Sequence, residues 1–135
     1  MSLDVEIVFK TDKTCKDIAE LLRDIGLKIK KEGGSYSGHL VGVDIYVSKH
    51  KDWGNIRLSS HAGFHFDFSS WSCAHSFFNS LVAEIICLKF QTKVEVFYDS
   101  QNTPAIVWEL NPKYAERSSD MFVYPVICTT RKEES

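Results

Sequence analysis

Apolar residues recur at every second position through most of this chain, and at helical spacing in only two windows. A period of two sends alternate side chains to opposite faces of a strand, whereas a period near 3.6 gathers them along one side of a helix. Val5, Ile7 and Phe9 alternate with Asp4, Glu6 and Lys10. From Leu40 to Val47 the pattern predicts a strand with Val43, Ile45 and Val47 on one face and Asp44 and Tyr46 on the other. Ala62, Phe64, Phe66 and Phe68 alternate with Gly63, His65 and Asp67, the strongest strand pattern present. Shorter extended stretches fall at Leu27 to Ile29, Ile56 to Leu58, Val94 to Tyr98 and Ala105 to Leu110. Phe122 to Cys128 has strand propensity, but Pro125 cannot donate to a ladder, which confines that stretch to an edge or to irregular structure.

The first helical window opens at Thr14, with Asp17 three residues on in capping-box spacing. Ile18, Leu21, Leu22 and Ile25 then form one apolar stripe, and Gly26 is placed to end the helix in a left-handed conformation. The second window is expected from about Cys73 to Lys89, after the capping hydroxyls of Ser69 to Ser72. Ala74, Phe77, Phe78, Leu81, Val82, Ile85 and Leu88 give it a wide apolar face. Between these windows Gly33-Gly34 and the residues to Gly38 read as a hairpin turn, since no Gly-rich phosphate-binding motif or Walker lysine accompanies them. Lys49 to Asp52 is turn-like, Tyr114 to Asp120 suits a short helical turn, and Arg131 to Ser135 are expected to fray. The order β-α-β-β-β-α-β-β predicts one two-layer α+β domain over residues 1–135, a largely antiparallel sheet with both helices on one face.

A chain of 135 residues, 44% apolar and 25% charged, can bury a core without staples. Sixteen basic against 18 acidic residues leave a net charge of -2, the wrong sign for a dedicated nucleic-acid binder. No apolar run is long enough for a membrane span. Cys15, Cys73, Cys87 and Cys128 lack metal-hook spacing, and no leader-like segment opens the chain, so free thiols and a cytoplasmic location are the expectation. No cofactor is expected.

Chemistry-bearing residues gather at His61, His65 and Asp67, which share one face if 62–68 is a strand. There His65 and Asp67 stand roughly 6.5 Å apart, within range to share a metal or orient a water. Cys73, at the expected start of the second helix, would sit where unpaired N–H groups favour a thiolate. These four residues define a hydrolytic-enzyme reading, with His61, His65 and Asp67 as metal ligands or acid–base groups. The other reading is a non-enzymatic, inhibitor-like protein-binding domain. The aromatic residues outnumber the places in one core, and helices on one face leave the other sheet face to water, a partner protein or a second copy. Asp44, Tyr46, Asp67, Glu95 and Trp108 are the candidate contact residues, provided the C-terminal segment does not fold over them.

Overall fold

The computed structural model describes residues 3–40, 43–60, 68–98, 102–110 and 122–126. Strand β1 (Leu3–Lys10) leads to helix α1 (Cys15–Asp24), followed by β2 (Ile29–Glu32), β3 (Ser35–Leu40), β4 (Val43–His50) and β5 (Trp53–Ser60). Helix α2 (Phe68–Phe90) precedes β6 (Val94–Tyr98), β7 (Ile106–Leu110) and β8 (Phe122–Val126). The eight strands form one sheet in the order β2-β3-β4-β5-β1-β6-β7-β8. Every neighbouring pair is antiparallel except β7 and β8. The chain lays down a central strand, passes through α1 to one edge, meanders back through β2–β5, and completes the far side after α2.

Capping sets α1. Thr14 Oγ1 accepts from the Asp17 N–H at 3.1 Å, and Asp17 Oδ2 accepts from the Thr14 N–H at 3.0 Å. Those bonds hold the Asp17 carboxyl below its usual range. At the other end Gly26 takes φ 103°, its N–H donates to the Arg23 carbonyl, and the Leu27 N–H donates to the Leu22 carbonyl. This is the paired closure that a left-handed glycine permits. The two residues between β2 and β3 are Gly33 and Gly34, with Gly33 at φ 61°. Ser35 to Gly38 therefore belong to β3 rather than to the turn, and Leu40 closes β3 while Val43 opens β4. Two residues suffice for a hairpin, so the glycine pair alone makes the reversal. Lys49 and His50 complete β4, leaving Lys51-Asp52 as the next turn.

Helix α2 begins at Phe68, earlier than its hydroxyl-rich start suggests, because serines are tolerated in a helix interior as well as at its cap. Its buried stripe is Asn79, Val82, Ala83, Ile86 and Cys87, at spacings of three and four. Leu81 stands 45% exposed, and Ile85 and Leu88 are only half-buried. A helix whose apolar face is wider than the sheet contact leaves its rotational setting to the sheet it meets.

Both helices lie on the same sheet face, α1 over β2–β4 and α2 over β1 and β6–β8. Val5, Ile7, Phe9, Val43, Ile45, Val47, Ile56, Leu58, Val94 and Val96 supply the sheet side of one continuous core with α1 and α2. Gly54 faces Phe9 across the β1–β5 ladder, leaving the space the Phe9 ring occupies beside Ile18. At the edges, β2 is short and rich in lysine, and β8 carries Pro125, both of which discourage pairing with another strand. No helix among the described residues is long and apolar enough to cross a membrane.

Candidate binding face

Alternation fixes the second face of the sheet. On β5, Gly54, Ile56 and Leu58 turn to the core, so Asn55, Arg57 and Ser59 turn away from it. The same parity brings Asp4, Glu6 and Val8 of β1, Asp44, Tyr46 and Ser48 of β4, and Glu95 and Phe97 of β6 to this side. Register then sets which of them meet. His39 pairs with Asp44, Tyr46 with Arg57, and Ser59 with Asp4.

These pairs make ordered contacts. His39 Nδ1 lies 2.9 Å from Asp44 Oδ1. An ionised carboxylate only accepts, so the imidazole donates from Nδ1, which orients its ring. The Arg57 guanidinium lies over the Tyr46 ring, 4.9 Å from its centroid. Ser59 Oγ donates to Asp4 Oδ1 at 2.7 Å, and Asn55 Nδ2 to Glu6 Oε2 at 3.5 Å. Tyr46 and Trp53 are exposed by 39% and 44%. The uncovered part of the face centres on β4 and β5, because Val107 of β7, although turned to this side, is buried.

Of the contact residues expected from the sequence, Asp44 and Tyr46 lie on this face. Glu95 shares it, half-buried, three strands from β4 and so about 14 Å away. Trp108 does not share it: only 2% exposed, it packs in the core on the helix side. Its parity follows from pairing with Val94, which one sequence stretch could not reveal. Asp67 lies outside the described residues, as do His61, His65, the turn at 114–120 and the chain end at 131–135; of the strand expected over 62–68, residues 62–67 lie outside them too, and Phe68 opens α2 rather than closing a strand. Cys73 belongs to the second turn of α2, past the unpaired N–H groups of the first turn, so the helix-terminus argument for a reactive thiol does not apply to it. Cys87 is buried and donates through Sγ to the Trp108 carbonyl at 3.8 Å. Burial pushes its pKa up to about 11, with Glu84 and Glu109 adding to the rise. Among the described residues, no three His, Cys, Asp or Glu side chains converge to hold a metal.

His39, Asp4, Glu6 and Arg57 join the face although the sequence did not mark them as contact residues. The alternation of Asn55, Arg57 and Ser59 with apolar residues is visible there; their cross-strand partners are not. The arrangement is that of an α+β domain whose sheet has helices on one face and ordered polar and aromatic pairs on the other. Comparison with protein-family models, with curated proteins and with solved structures finds no match for this chain.

Proposed function

We propose that this chain is a non-enzymatic, inhibitor-like protein-binding domain that engages a partner through the sheet face opposite the helices. The observation that carries this reading is the Tyr46–Arg57 stack, exposed at the middle of that face. Tyrosine and arginine are the residue types that most often anchor interfaces, since each offers a large contact area with a polar tip. Asp4, Glu6 and Asp44 flank the stack, and Glu95 lies further out on the same face, so the complementary partner presents a basic surface. The cross-strand pairs hold these side chains in place before contact and reduce the ordering cost of association.

The test is a photo-crosslinking residue placed at Tyr46, with the same residue at Glu20 on the exposed side of α1 as a control, both in the full chain in cells. A discrete adduct from position 46, absent from position 20 and abolished by Arg57→Ala, is the expected result. An adduct at twice the chain mass would identify the partner as a second copy. Indistinguishable adducts from both positions, or none from position 46, would overturn the proposal.

A further inference from the structure

At the β2–β3 margin of the same sheet face, Lys28, Lys30, Glu32, Ser37, Gly38 and His39 line a cleft of about 370 Å³. That volume lies within the range of small-ligand clefts. Sequence position alone does not suggest a site, because Lys28 to Lys31 reads as a solvated charge run on an edge strand. The structure separates these cations by what they touch. Arg23 Nε donates to the Ile29 carbonyl at 2.8 Å, and its guanidinium lies over the Tyr36 ring. Lys31 lies over the same ring, 5.9 Å from its centroid. Lys28 and Lys30 form no ion pair among the described residues, and the Ser37 hydroxyl makes no hydrogen bond there. Lys30 and Ser37 are direct cross-strand partners, and His39 follows Ser37 on the same face with its ring oriented by Asp44.

We propose that this cleft binds a phosphate monoester. Two ammonium groups and a hydroxyl, arriving from two strands and from the segment before β2, match an acceptor with oxygens in several directions and close to two negative charges. A planar carboxylate is matched best by the parallel N–H fork of a guanidinium, and no arginine lines the cleft. Glu32 also lines the cleft and opposes the anion, so its charge lowers affinity and its removal raises it. The site shares His39 with the proposed partner face but rests on Lys28, Lys30 and Ser37, so either reading can fail without the other.

The experiment is a titration of the isotope-labelled full chain with inorganic phosphate, glycerol phosphate, an N-acetyl phosphoserine amide and acetate, followed by amide NMR shifts at low ionic strength. The expected result is saturable shifts confined to 28–39 and neighbouring β4 residues, with the phosphates binding at least about tenfold more tightly than acetate. Lys28→Gln with Lys30→Gln weakens phosphate binding by about tenfold or more, and Glu32→Gln strengthens it by severalfold. These side chains are exposed, so the rest of the amide spectrum stays in place and reports an intact fold. Tighter binding of the glycerol ester points to a small metabolite, and tighter binding of the phosphoserine derivative to a phosphorylated protein. Acetate binding as tightly as phosphate, shifts spread over remote lysines such as Lys13 and Lys16, or affinity unchanged in the double lysine variant would each overturn the proposal.

Discussion

Substituting Gly54 by alanine tests how the sheet and α1 are fitted together. A Cβ built at Gly54 falls 2.7 Å from Phe9 Cε2, 2.9 Å from Phe9 Cζ and 3.2 Å from Ile18 Cδ1. Carbon atoms rest at about 3.5–4.0 Å, so the methyl overlaps the ring by most of an ångström. Phe9 and Ile18 are both fully buried, so neither can swing into solvent to relieve it. Forcing a methyl into a packed core costs about 1–3 kcal/mol. Exchanging glycine for alanine recovers about 0.4–1 kcal/mol through the unfolded chain. The net expectation is a destabilisation of about 1–2 kcal/mol, or roughly 3–10 °C in Tm for a domain of this size. Urea unfolding followed by tryptophan fluorescence measures it, with buried Trp108 as a reporter and an unchanged m-value as the sign of a native-state effect. In a Phe9→Leu background the ring atoms are gone, and the same substitution should cost at least about 1 kcal/mol less, because contacting residues couple. A neutral or stabilising Gly54→Ala, or an equal cost in both backgrounds, would refute the reasoning.

The further predictions concern the helices. Thr14→Ala should cost about 1 kcal/mol by removing the α1 cap. The Asp17 carboxyl is held low in the folded state, so its stabilisation is full above the usual carboxylate range and is lost as the pH falls through the folded pKa; Asp17→Asn should flatten that part of the acid stability profile in urea titrations at successive pH values. The Cys87 thiol is raised to about 11, so the unfolded chain ionises first and stability falls as the pH rises from about 9 towards 11; Cys87→Ala should lessen that alkaline loss, and in the native wild type iodoacetamide should modify half-exposed Cys15 well before Cys87, as read by peptide mass spectrometry.

Much of the framework was legible in the residues. The Thr14–Asp17 box, the Ile18–Leu22 stripe and Gly26 mark both ends and the buried side of α1, because capping and helical spacing act within a few residues of chain. The alternation in β1, β4 and β6 tells which side chains share a face, because the strand period is local. Asp44, Tyr46 and Glu95 were therefore visible as companions on the face away from the helices. The rotational setting of α2 was not visible. Its apolar residues spread over a face wider than any one sheet contact, so the sequence favours no single buried stripe, and docking against β6 and β7 buries Asn79 while leaving Leu81 exposed.

The side of the sheet to which Trp108 points was equally hidden, since parity within β7 has no absolute direction until Val94 lies opposite. The cross-strand pairs depend on register between segments far apart in the chain. Asp4 meets Ser59, and Glu6 meets Asn55, only because β1 inserts between β5 and β6. The separation of Lys28 and Lys30 from engaged Arg23 and Lys31 likewise needs α1 folded back beside β2 and β3. Local rules of spacing and capping thus determine where helices and strands form and which residues each can bury. Tertiary structure decides which strands become neighbours and which part of a wide apolar helix face meets the sheet, because those choices rest on long-range packing that no short stretch of sequence encodes.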